Sequence, residues 1–170
     1  LGYHKRVWDT EVFEDGVKFS LSDPATLGFP GNKEVSLLYT VTENNEIKLH
    51  YHAESDQATI INLTNHSYFN LDGHDSGTIM DHEIKLECSK FTPTVPGSIP
   101  TGEIADVAGT PMDLTSRKRV GDDIDKDYDQ RKMAGGYDHN YCIDGFDGKL
   151  RHCATVWGPK SGRVMKVFKS

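Results

Sequence analysis

Residues 61–73 read INLTNHSYFNLDG, with one histidine where a strand-like run gives way to a turn. His66 stands between Asn65 and Ser67 and is followed by Tyr68 and Phe69. An imidazole titrates near neutrality, so it can act as a general acid or base. Amide and hydroxyl neighbours supply hydrogen bonds, and aromatic rings supply flat apolar faces of the kind that line a sugar pocket. The same residues equally fit a partly buried histidine satisfied by backbone groups. On these residues alone both readings stay open.

A second cluster, GGYDHNY at residues 135–141, places an acid, an imidazole and an amide side by side after two glycines. Asp138 could cap backbone N–H groups in a tight turn. It could also accept hydrogen bonds from two ligand hydroxyls, as a carboxylate does well. Three further patterns carry less chemistry. His50 and His52 share a strand face with Lys48 and Glu54, which reads as solvated surface rather than a metal site, since no third ligand lies in sequence reach. The acidic run at residues 122–129 lacks the glycine and glutamate of a calcium loop and reads as a solvated acidic loop. The sequons at Asn62 and Asn65 sit beside strand-forming residues rather than at a loop tip, which disfavours glycan attachment.

The elements that must hold these groups are strands. Residues 34–42 and 46–54 alternate in period two around Asn44-Asn45, which predicts a hairpin with one wet face. Ile47, Leu49, Tyr51 and Ala53 fall on one side of the return strand, opposite Lys48, His50, His52 and Glu54. Further strands are expected at residues 18–21, 58–63, 81–88, 141–143, 151–156 and 163–167. Only residues 119–132 have room for a short helical turn. Prolines and glycines between 93 and 111 mark a long irregular excursion. Many short strands separated by turns point to an all-β antiparallel sandwich, in one domain over residues 1–170.

Composition limits the partners. The net charge is −7 with both signs interspersed, which argues against nucleic acid or an anionic membrane. Three cysteines without C-x-x-C spacing argue against a disulfide framework or a zinc site and for a reducing, cytoplasmic location. No apolar run reaches the length of a membrane span.

In chain order, NLTNHSYFNLDGH (62–74), IPTGEI (99–104), GTPMDL (109–114), GGYDHNYCI (135–143) and SGRVMKV (161–167) resemble the aldose 1-epimerase family. Upstream, Trp8, DGVKFSL (15–21) and GFPGN (28–32) continue the resemblance over essentially the whole chain. It implies a large antiparallel β-sandwich of the galactose mutarotase-like type. It also implies interconversion of the α and β anomers of hexoses such as galactose and glucose, with no cofactor or metal. The implied partner is a small-molecule hexose, and the implied assembly a monomer or weak dimer. His66 corresponds to the general acid that protonates the ring oxygen. Ser67 and Tyr68 correspond to sugar contacts at its side, and Asp138 to the acid that holds sugar hydroxyls.

The resemblance also carries an expectation of incompleteness. The family's general-base glutamate would follow the SGR segment, and its arginine and His-Gly-Gly histidine would precede Leu1. Glu46 and Glu103 lie in the wrong motifs to replace the base. The expected behaviour of these 170 residues in isolation is therefore little or no activity. The alternative is a carbohydrate-binding or sensor module that kept the sandwich without catalysis. A relative acting on phosphorylated hexoses lacks support, because no basic cluster lies near His66 or Asp138.

Overall fold

The alternation read from residues 34–54 appears directly in the computed structural model, which describes residues 2–170 apart from the Leu27 side chain. The chain forms two compact units, Leu1–Ser67 and Tyr68–Ser170.

In the first unit, β1 (Asp9–Val12), β2 (Gly16–Asp23), β3 (Lys33–Val41) and β4 (Ile47–Ser55) make one antiparallel sheet in the order β1-β2-β3-β4. Register places Phe19, Leu37 and Tyr51 in one row, and Leu21, Val35 and Ala53 in another. Ser20, Ser36 and His52 form a row on the opposite face, as period two requires. Leu21 and Val35 are buried while His50 and His52 are exposed, so the sheet has the expected wet side. At the β3–β4 turn Asn45 adopts φ 58°, a left-handed conformation that Asn tolerates better than most residues.

Near the other end of the sheet, Asp23 gathers three donors. Tyr3 Oη donates at 2.9 Å and Arg6 Nη1 at 2.7 Å, and Lys33 Nζ lies at 3.2 Å. Lys33 also donates to the Phe29 and Gly31 carbonyls at 3.0 and 2.8 Å. Burial by itself raises the Asp23 pKa. Hydrogen bonds from Tyr3 and Lys33 outweigh it and hold the carboxyl below its ordinary range.

The second unit carries β5 (Glu83–Leu86), β6 (Lys90–Phe91), β7 (Thr94–Val95), β8 (Ile99–Pro100), β9 (Ala105–Asp106) and β10 (Lys118–Arg119). A helix α1 (Asp129–Ala134) follows, then β11 (Tyr141–Cys142), β12 (Arg151–Trp157) and β13 (Val164–Lys169). They pair as β10-β5-β12-β13, β11-β6-β9 and β7-β8, all antiparallel.

Four expectations need correction. Residues 58–63 form no strand, because β-branched composition does not make a strand without a ladder partner. The 81–88 run contributes a paired strand only at Glu83–Leu86. The excursion between 93 and 111 is not irregular throughout: it holds β7, β8 and β9, and its Val107, with Met112 just beyond it, joins Phe91 in the buried core, with Tyr128, Tyr137 and Tyr141 packed against it. Tyr137 and Tyr141 donate to the Pro111 and Met112 carbonyls, both at 3.0 Å, so the turn at Pro111 brings two backbone acceptors to half-buried phenols.

The acidic run is not wholly solvated either. Asp123 is 7 % exposed and ion-paired with Lys118 and Lys126, and Asp122 binds the Arg119 backbone N–H at 3.2 Å. The helical turn expected in 119–132 appears as a 3-10 turn, Val120–Asp122, and as α1, which ends at left-handed Gly135.

Candidate active site

His66 is exposed and lies in the last residues of the first unit. The backbone around it is bracketed by its neighbour. Asn65 Oδ1 accepts the Ser67 N–H at 3.0 Å, an Asx turn that spans His66, while Asn65 Nδ2 donates to Tyr39 Oη at 2.8 Å. The Thr64 hydroxyl donates to the Asn65 carbonyl at 3.3 Å. Both ends of the Asn65 amide are therefore occupied within the fold.

Tyr68 and Asp138 belong to the second unit, and each is exposed, Tyr68 to 89 %. Asp138 does not cap the turn it follows, since its carboxylate accepts no backbone N–H among the described residues. Its neighbour His139 turns inward instead. The His139 ring meets Phe91 edge-on at 5.6 Å, and its Nε2 lies 3.2 Å from Gln130 Oε1. Gln130 clamps β7 through both ends of its amide, accepting from the Thr94 N–H at 2.7 Å and donating to the Thr94 carbonyl at 3.0 Å. The amide orientation is thus set by backbone, so Oε1 faces His139 and the imidazole donates from Nε2. Its buried Nδ1 has no hydrogen-bond partner. Burial lowers the His139 pKa, with the Asp138 charge opposing, which keeps the ring neutral.

The turn after Tyr68 rests on residues that sequence reasoning did not single out. His82, 2 % exposed, accepts the Leu71 N–H at Nε2 from 3.1 Å, so its proton sits on Nδ1, 3.9 Å from Asp72 Oδ2. Asp72 Oδ1 accepts backbone N–H bonds from Lys160 and Ser161 at 3.0 and 2.8 Å. Burial would raise the Asp72 pKa. The Ser161 and Lys160 donors outweigh it and hold the carboxyl below its ordinary range. No local pattern marks His82 as a partner of Asp72. The only signal for either was Asp72's place in the L-D-G turn.

No group of three or more His, Cys, Asp or Glu residues that could hold a metal occurs among the described residues. His52 Nε2 pairs with Glu54 at 3.3 Å on the wet face. All three cysteines are free thiols, and among the described residues no helix is long and apolar enough to cross a membrane.

Residues 2–170 match the family model described as aldose 1-epimerase. A galactose mutarotase from Bos taurus is 41% identical over 168 residues, 98% of this chain and 47% of that protein. An aldose 1-epimerase from Escherichia coli K12 is 35% identical, over 98% of this chain and 48% of that one. The crystal structure of galactose 1-epimerase from Lactobacillus acidophilus NCFM superposes with a TM-score of 0.76 at 29% identity, covering 89% of this chain and 45% of its own. The chain spans about half the length of the curated relatives it matches. These likenesses bear out the antiparallel β-sandwich class expected from the strand pattern.

Proposed function

The chain belongs to the aldose 1-epimerase family, and from that premise we propose that its parent protein interconverts the α and β anomers of aldohexoses, galactose and glucose among them. The observation that carries the reading is His66, an exposed imidazole on a loop bracketed by side-chain hydrogen bonds, within a motif that matches the family.

His66 protonates the ring oxygen as a general base removes the C1 hydroxyl proton. The C1–O5 bond breaks, its electron pair goes to O5, and C1 becomes the aldehyde carbonyl. Rotation about C1–C2 presents the other carbonyl face. O5–H then returns its proton to His66 as O5 attacks C1, and the base reprotonates the new hydroxyl. Nothing is consumed, so the reaction needs no cofactor. The base is assigned to no residue here: Glu46 is tied to Lys48 at 3.0 Å on the hairpin turn, and Glu103 lies in a different motif.

Ser67, Tyr68 and Asp138 hold the hexose. Ser67 and Asp138 exchange hydrogen bonds with hydroxyls, and the Tyr68 ring offers its face to the pyranose. A hexose is the only partner this chemistry requires, and we place the protein in the cytoplasm as a monomer or weak dimer, a single domain with three reduced thiols.

Polarimetry on freshly dissolved α-galactose tests the reading in the full-length protein. His66→Gln is expected to lower turnover by about a hundredfold or more, the usual scale of general acid catalysis, with a modest change in sugar affinity. Unchanged turnover would remove His66 as the acid. Sugar binding by the unmutated protein without any mutarotation would identify a binding module instead.

A further inference from the structure

We propose that Asn65 is a positioning residue for His66 and that Tyr39 is its anchor; the inference rests on the reading of His66 as the acid. Tyr39 lies on interior strand β3, with Val17 and Leu49 as its register partners on the two neighbouring strands. Its ring meets Phe19 edge-on at 6.0 Å and 89°, which limits ring tilt. The phenol oxygen therefore belongs to a strand paired on both sides.

Asn65 carries that rigidity across 26 residues of chain. Its Nδ2 donates to Tyr39 Oη at 2.8 Å, and its Oδ1 accepts the Ser67 N–H at 3.0 Å. The amide orientation follows from chemistry, because the backbone N–H requires an acceptor and leaves the NH₂ for the phenol oxygen. One planar group thus ties the peptide that follows His66 to the sheet. The imidazole Cα is held at the centre of an Asx turn instead of on a free loop. Proton transfer to a ring oxygen depends on sub-ångström placement, so this bracket acts on turnover more than on binding.

Asparagine is the side chain that meets both demands. Alanine meets neither. Aspartate keeps the Oδ1 acceptor and can take a hydrogen bond from the Tyr39 hydroxyl, but it adds a negative charge beside His66.

Variants of the full-length protein assayed by polarimetry test the proposal. Asn65→Ala is expected to lower kcat by about ten- to a hundredfold with KM within about twofold, the pattern of a misplaced catalytic group. Tyr39→Phe keeps the ring and removes only the hydroxyl, and is expected to give a smaller loss of the same kind. Asn65→Asp, which keeps the Oδ1 acceptor, is expected to recover part of the loss. In a His66→Gln background, adding Asn65→Ala is expected to cost nothing more.

Full kcat in both Asn65→Ala and Tyr39→Phe, with His66→Gln impaired, would overturn the positioning role and leave the acid assignment standing. A further multiplicative loss in the His66→Gln background would also overturn it. Full turnover in His66→Gln alone would instead locate the failure in the acid assignment.

Discussion

Asp72 and Ser161 are joined across 89 positions by a 2.8 Å hydrogen bond from the Ser161 N–H to the Asp72 carboxylate. The same oxygen accepts the Lys160 N–H at 3.0 Å, so one side chain latches the β12–β13 turn onto the L-D-G turn that follows Tyr68. The approach is close enough to require glycine at 158. A Cβ there would lie 2.8 Å from Leu71 Cβ and 2.9 Å from Asp72 Oδ1.

Asp72→Ala should therefore free the 158–162 turn. Hydrogen exchange is expected to show faster exchange of the Lys160 and Ser161 amides in Asp72→Ala and near-normal protection in Asp72→Asn, which keeps Oδ1. Unchanged protection in the alanine variant would remove the latch.

His139 should stay neutral below the pH at which an ordinary imidazole protonates. Its folded pKa is lowered by burial, so its contribution to stability is full above the unfolded value of about 6.5 and is lost as pH falls toward the folded value. Nitrogen-15 NMR is expected to find the proton on Nε2, facing Gln130, with Nδ1 bare. A ring that titrates at or above the ordinary imidazole value would contradict this placement.

Asp123 should tie the acid run to the second unit. Hydrogen bonds from Lys118 and Lys126 depress its pKa, so the stability it contributes is complete above the unfolded carboxyl value and disappears as pH falls through the lower folded value. Asp123→Ala leaves the partly buried Lys118 without its anion and is expected to cost about 2–3 kcal/mol at neutral pH, the scale of charged hydrogen bonds. Denaturant titration measures the cost, and the difference from the parent should shrink in strong acid. A penalty that does not change with pH would argue against the ion pair.

Met112 should behave as a core residue despite its place beside the proline-rich excursion. It is 0% exposed and packs with Phe91 and Val107. Met112→Ala is expected to cost about 2–5 kcal/mol in unfolding free energy, as buried truncations do. A cost below about 1 kcal/mol, within the range of surface substitutions, would remove Met112 from the core.

Asp138 is exposed, so Asp138→Asn should leave stability within about 0.5 kcal/mol. The same variant is expected to weaken hexose binding by about tenfold, as loss of a charge-assisted hydrogen bond does. Isothermal titration in the full-length protein separates the two effects, and unaltered affinity would remove Asp138 from the sugar contacts.

The β2–β3–β4 hairpins were legible because period two is a local property. Leu21 and Val35 inside, with His50 and His52 outside, follow from alternation alone. The run 58–63 is rich in strand-forming residues and forms no strand, since pairing is decided by a partner elsewhere. Around the candidate site, the residue types in N-H-S-Y and Y-D-H-N announced acid–base and hydroxyl chemistry, and their match to a family gave His66, Ser67, Tyr68 and Asp138 their assigned roles.

What the sequence determined by itself is which residue types are available for acid–base and hydroxyl chemistry and which side chains alternate across the 34–54 hairpin, because both depend on residue type and neighbours. The supports are a tertiary matter. Tyr39 reaches Asn65 across 26 positions, and Asp72 reaches Ser161 across 89. Gln130 turns His139 inward while Asp138 beside it faces out. Each contact depends on register, loop path and burial in the folded chain, and a hydrogen bond between distant residues leaves no local pattern along the sequence.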